Sequence, residues 1–279
     1  LALAPASASA QPDRAAQADD RLLELPPPPE GVKLSPDNAA LIYYAVDTDL
    51  DRELHEMVGD WTNSEDRSNI PPELAEKLEE IQDDAIENLL FASRLEHADF
   101  GVRWDKGWEA LLPYLGPLRR QAQILAADAH RLAPANPAAA AERLAAMIRM
   151  ARHLREGGVP IDKLVGYAII LNATAQITQI AASPGFDETG RAVLLDALNT
   201  IDLNDPLNMQ GVWPLERWQA DYELRSMFNE AIRKGIDPAD EINDALVISV
   251  GSDDNDTLPR LSEDELRAEI QRLPRAFDE

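Results

Sequence analysis

Residues 136–182 read NPAAAAERLAAMIRMARHLREGGVPIDKLVGYAIILNATAQITQIAA. Two helical patterns follow each other in this stretch. Leu144, Met147, Ile148, Ala151 and Leu154 recur three or four residues apart, which lines them along one face of a helix. Gly157-Gly158 is expected to end that helix. From Ile161 to Ala182 the chain is apolar almost all the way round, and such a helix is expected at the centre of a core. This reading makes the fold all-α.

Working outward, Trp108, Leu111, Leu112, Leu115, Leu118, Ala122, Leu125, Ala129 and Leu132 keep the same spacing, with Pro113 and Pro117 kinking the helix or delaying its start. The short break APANPA makes this helix and the next antiparallel neighbours. Upstream, Ser35 as cap and Pro36 at the first helical position open a helix expected to run to about Val58. Leu74, Leu78, Ile81, Ala85, Leu89 and Ala92 then form one apolar stripe. Downstream, SPGFDETG breaks the chain. Helices follow near 187–200 and 212–234, the second with Leu224, Met227, Phe228 and Ala231 inward. Another starts at about Pro238. ALVISV, 245–250, reads as a helix end or extended chain. Ser262 with Glu265 forms a capping box for a last helix ending near Leu273. The sum is roughly two-thirds helix, about twice the globular share.

The expected architecture is stacked antiparallel helical hairpins in an irregular, tetratricopeptide-like bundle, without a clean repeat of about 34 residues. Residues 1–10 read as a signal-peptide remnant, because Ala8-Ser9-Ala10 has the small-x-small spacing of a cleavage site. Residues 11–34, with their LPPPPEG run, read as a stiff proline-rich linker. Residues 35–279 form one α-helical domain with a sub-boundary near 206. No later stretch is expected to supply the about 18 apolar residues of a membrane span. The expected setting is periplasmic or extracellular.

Composition narrows the chemistry. The 279 residues carry 26 Lys and Arg against 51 Asp and Glu, a formal net charge of -25. Such a surface repels phosphate backbones and anionic membranes, so nucleic acid is not expected as a partner and protein or peptide is. The chain has no cysteine, which removes disulfides, thiolate catalysis and cysteine-ligated metals.

Several short motifs fail on their context. Asp99-Phe100-Gly101 matches the magnesium-binding tripeptide of protein kinases, but the other parts of that site are missing. Gly101 is expected to turn the chain and Asp99 to bond nearby amides. GFDETGRA, 185–192, echoes a phosphate loop with Arg191 and Ala192 in place of the lysine and the hydroxyl. It reads as a helix-to-helix loop with Asp187 as cap. His55-Glu56 begins a zinc motif that Gly59 leaves unfinished. DTDLDRE, 47–53, lacks the glycine and the glutamate of a calcium loop. The oxygen-rich SDDNDT, 252–257, is a plain loop or a calcium loop, with Asp253, Asp254 and Asp256 as the ligand candidates; no other cofactor is expected. Arg103, Trp104 and Trp108 lie together with Arg119 a few turns on, and Trp213, Trp218 and Tyr222 form a second cluster. These residues either lock helix ends into the core or form a recognition surface.

The segments NAALIYYAV, DFGVRWDKGWEALLPYLGPLRRQAQILAADAHRLA and NPAAAAERLAAMIRMARHLREGGVPIDKLVGYAI resemble uncharacterised exported α-helical proteins of planctomycete type. The resemblance covers Asn38 to about Pro206. It implies an all-helical fold and export, and it carries no active site with it. The expected function is a non-enzymatic helical scaffold or protein-binding module of the cell envelope. The alternative is a secreted carboxylate-dependent hydrolase that binds calcium.

Overall fold

Residues 21–27, 37–64, 67, 69–104, 106, 110–182, 185–202, 204–250 and 260–276 are described by a computed structural model. Among them the chain forms eleven α-helices and no strand. These are α1 (Ala39–Asp49), α2 (Arg52–Asn63), α3 (Pro72–Glu80), α4 (Glu87–Arg94), α5 (Leu115–Leu132), α6 (Pro137–His153), α7 (Pro160–Ala181), α8 (Glu188–Asn199), α9 (Trp213–Lys234), α10 (Pro238–Val250) and α11 (Glu263–Ala276). The all-α reading is thus correct, and ALVISV continues α10 as helix to Val250.

The chain divides into two units. The larger comprises Pro29–Arg103 and Ala110–Glu216, the smaller Leu1–Pro28, Trp104–Glu109 and Arg217–Glu279. The division at Glu216/Arg217 falls within α9.

The larger unit is organised around α6. This helix packs against α4, α5, α7 and α8, and 12 of its 17 residues are buried. Its alanines explain this, since small side chains let neighbours approach on several sides at once. Asn136 caps it by accepting from the Ala139 amide at 3.1 Å, and Pro137 occupies the first turn, where a missing N–H costs nothing. Gly157-Gly158 lie beyond its end at His153. Gly157 is there for space: a Cβ would stand 2.0 Å from Asp162 Oδ2.

The sequence places the apolar helix at the centre, and the structure corrects this. Only six of the 22 residues of α7 are buried, and two of those are Asp162 and Lys163. α7 is also long and apolar enough to cross a membrane by length and composition, contrary to the sequence expectation.

Three further boundaries differ for local reasons. The expected 35–58 helix breaks at Leu50, and Asp51 caps a new helix by accepting from the Leu54 amide at 2.6 Å. Ser35 and Pro36 lie outside the described residues, and Asn38 caps α1. A wider π turn, Gln82–Ile86, interrupts the 74–92 stripe, with the Ile86 amide reaching back to the Ile81 carbonyl at 3.1 Å. That extra residue turns both Ala85 and Ile86 inward while Leu74, Leu78, Leu89 and Ala92 stay buried. α5 starts only at Leu115, and Leu111 is 81% exposed, because the ring of Pro113 disfavours helical geometry at the residue before it.

A buried charge cluster staples α5 to α6. Asp128 is fully buried and accepts from Arg131 Nε at 2.9 Å and Nη2 at 2.7 Å, and from Arg143 Nε at 2.9 Å. Two guanidiniums satisfy one carboxylate, as burial of an ion requires.

In the smaller unit Leu23, Phe228, Ile232, Ile242, Leu266 and Ile270 form a core. Part of the expected linker belongs to it. Leu23 pairs its amide and carbonyl with Asn229 at 2.7 and 2.8 Å, and Arg225 bonds the Glu24 carbonyl at 3.1 Å. The Ser262–Glu265 capping box forms as expected. The signal-remnant residues lie outside the described residues.

Asp128→Ala should destabilise the protein by about 3–5 kcal/mol, because it leaves Arg143 buried without its carboxylate. Urea unfolding followed by circular dichroism measures this, and a loss below about 1 kcal/mol would show that the cluster is not structural.

Candidate functional site

The candidate surface is the outer face of α7, and the turn before α7 sets how that helix lies. Lys163 points back at the end of α6. Its ammonium donates to the carbonyls of Leu154 at 3.0 Å, Arg155 at 2.7 Å and Gly157. These are carbonyls that the helix end leaves without amide partners, and the negative end of the helix dipole favours a cation there. Burial lowers the Lys163 pKa to about 8, with the neighbouring Asp162 opposing the shift. Lys163 thus remains charged at pH 7. Asp162 accepts from the Tyr114 hydroxyl at 2.6 Å and from the Val159 amide at 3.4 Å. Burial raises the pKa of both Asp162 and Tyr114. One side chain holds the end of α6, and its neighbour ties the start of α7 to the start of α5.

With Asp162, Gly166, Ile169, Ala173 and Ile180 facing inward, the opposite face of α7 points away from this unit. Leu171 is 66% exposed, Leu164 60% and Ile161 44%. Ala168, Ala175 and Thr178 are exposed on the same face. At about 100° per residue, Ala168 stands about 200° from Gly166, so the two faces are nearly opposed. The only charged residues of α7 are Asp162 and Lys163, and both are buried. The outer face therefore carries no charge.

Beside this face lies a groove of about 360 Å³ between α7, α5 and the end of α2, lined by Ala122, Ala168, Leu171 and Ala175 and by the polar Thr62, Arg67, Arg119, Gln123 and Asn172. Arg67 and Arg119 are both exposed. Neither has a carboxylate partner among the described residues, which is unusual in a chain with almost two acids per base.

A second cavity, of about 430 Å³, is lined by Glu96, His97, Arg152, Arg155, Glu156, Gly157, Gly158, Asn208 and Gly211. His97 Nδ1 lies 3.3 Å from Glu156 Oε1. Behind this cavity His153 is fully buried, its Nε2 at 2.9 Å from the Leu95 carbonyl and its Nδ1 at 3.0 Å from the Tyr43 hydroxyl. A carbonyl can only accept, so Nε2 carries the proton and Nδ1 accepts from Tyr43. The hydrolase alternative requires two carboxylates facing each other in a pocket, one with a raised pKa. Among the described residues Asp162 is the carboxyl whose pKa is raised, but its partners are a phenol and an amide. Among the described residues no group of three or more His, Asp or Glu could hold a metal ion.

The residues singled out in the sequence are dispersed. Arg103, Arg119 and Trp213 belong to the larger unit, Trp104 and Trp218 to the smaller. Arg119 lines the groove. Trp213 is 72% exposed at the start of α9, so it does not lock a helix end into the core. Trp218 stacks on Tyr222 with ring centroids 5.1 Å apart and donates its indole N–H to the Pro27 carbonyl at 2.6 Å. Trp108, Asp253, Asp254 and Asp256 lie outside the described residues. The kinase-like tripeptide has a local role: Asp99 Oδ1 accepts from the Gly101 amide at 3.0 Å, and Gly101 takes a positive φ of 65°. Phe100 stacks on Tyr114 at 4.2 Å between centroids.

No family model matches the chain, and neither a curated protein nor a solved structure matches it.

Lys163→Met should cost about 3 kcal/mol, since it strips the ammonium from three carbonyls at a helix end. Thermal unfolding measures the loss, and an unchanged midpoint would remove Lys163 from its capping role. His153 sets a pH dependence. Burial holds its pKa down to about 4, against about 6.5 in an unfolded chain. The unfolded state therefore binds the proton first. The stability contribution is complete above pH 6.5 and is lost as pH falls toward 4, by about 3 kcal/mol in all. His153→Gln should flatten the melting temperature between pH 6.5 and 5, where most carboxylates are still ionised. An undiminished slope would assign it to other groups.

Proposed function

We propose that this protein is a non-enzymatic helical scaffold whose work is to bind protein, with the outer face of α7 as its docking surface. The observation that carries the reading is the uncharged, exposed apolar face of α7 in a chain of net charge -25. An apolar patch that water touches along a whole helix is a liability unless something covers it. Arg67 and Arg119 on the adjoining groove would meet an acidic edge of whatever docks there. The setting in this reading is the cell envelope. The cleavage-site spacing at Ala8-Ser9-Ala10 and the resemblance to exported helical proteins support it, and an irregular tetratricopeptide-like stacking fits a binding role.

The double substitution Leu164→Glu with Leu171→Glu should change stability by no more than about 0.5 kcal/mol, because both side chains already face water. A loss of several kcal/mol would place them in the core. A photo-crosslinking residue in place of Leu171 should trap protein in the producing cell. The same residue in place of Leu41, which is 53% exposed on α1, should not. Equal trapping at the two positions would overturn the docking role.

A further inference from the structure

We infer that the occupant of this face is a second copy of the chain, packed antiparallel, α7 against α7. This rests on the reading of α7 as a docking surface and names the partner. The exposed seam is Ile161, Leu164, Ala168, Leu171, Ala175 and Thr178. Its spacing is three, four, three, four, three, which keeps a straight seam against another helix crossing at a shallow angle. It extends for about 26 Å at 1.5 Å per residue.

The order of sizes along the seam selects the partner. Large and small residues are arranged so that reversing the helix sets each large one opposite a small one. With the two-fold axis midway between Ala168 and Leu171, Leu171 meets the partner copy at Ala168. Leu164 meets it at Ala175, and Ile161 at Thr178. Six layers form, and none places two leucines or two alanines together. A parallel pair in register would oppose leucine to leucine and alanine to alanine. One patch that fits itself about a two-fold axis is the requirement of an isologous dimer.

Charge agrees. Two bodies of net charge -25 repel each other, so they can meet only where the surface carries no like charge. The α7 seam carries none. Arg67 and Arg119 beside it, without carboxylate partners among the described residues, attract the acidic body of the second copy. A lipid surface suits the seam less well. A helix that lies in a membrane interface carries basic residues on its polar flank, and the only basic residue of α7 is the buried Lys163.

The chain has no cysteine, so single-cysteine variants of the full chain report the register cleanly. Leu164→Cys and Ala175→Cys, mixed and oxidised, should cross-link to each other and not to themselves, because like positions lie about 16 Å apart along the antiparallel pair. The unsubstituted chain should sediment as a concentration-dependent dimer, and Leu171→Asp should raise the dissociation constant at least 100-fold with its circular dichroism spectrum unchanged. Self-cross-linking of each variant would overturn the antiparallel register. A dimer that survives Leu171→Asp would place the contact elsewhere. A purified chain that stays monomeric while position 171 traps a different protein in the cell would sink the self-pairing and leave the docking surface standing. Failure of both would remove both. Binding of the purified chain to phosphatidylcholine vesicles, lost in Leu171→Asp and without cross-linked dimer, would assign the face to lipid instead.

Discussion

The buried ammonium of Lys163 fixes the part of the molecule on which the surface depends. A helix end presents carbonyls without amide partners, and the end of α6 meets a buried ammonium. Lys163 meets three of them from the first turn of the next helix. Because that side chain must reach back, the first turn of α7 cannot rotate. Asp162, one residue earlier, is held by Tyr114 from the start of α5. With two adjacent residues pinned in different directions, the rotation of α7 about its own axis is decided, and with it which of its two apolar faces turns outward.

The bundle behind that turn is assembled by size. α6 sits in the middle because its alanines admit neighbours on several sides, and the Asp128 cluster and the His153 bonds add directional contacts where the helices meet. α7 carries larger side chains on both faces. It covers the core with one and keeps the other. A helix that is apolar all round is stable in water only when both faces are covered, so the fold leaves an unfinished contact, and the scaffold reading starts from it.

Much of the fold was legible in the sequence, and the reasons are local. The 3.6-residue spacing in 118–132, the capping box at Ser262 and the cap at Asp187 act within a turn or two of their own positions, and each is found where expected. The boundary errors are local too, where a cap or a proline breaks a continuous apolar pattern. Asp51 starts a new helix inside a continuous helical pattern. Leu111 sits in the apolar register but precedes the true start of α5. Of the site, Arg119 was legible as a residue favoured in recognition, but its place beside Leu171 was not, because 52 residues separate them in the chain. The seam lies within the stretch that reads as apolar all round and therefore as core, since an apolar run does not say what covers it.

The sequence alone determined that this chain is helical, acidic, without cysteine and without a complete catalytic motif, because composition and short-range spacing are properties of the chain before it folds. Only the tertiary structure decided that the most apolar helix lies at the surface and the alanine-rich one at the centre. Burial depends on which neighbours can approach, and that follows from side-chain volume and from where a single lysine finds its carbonyls.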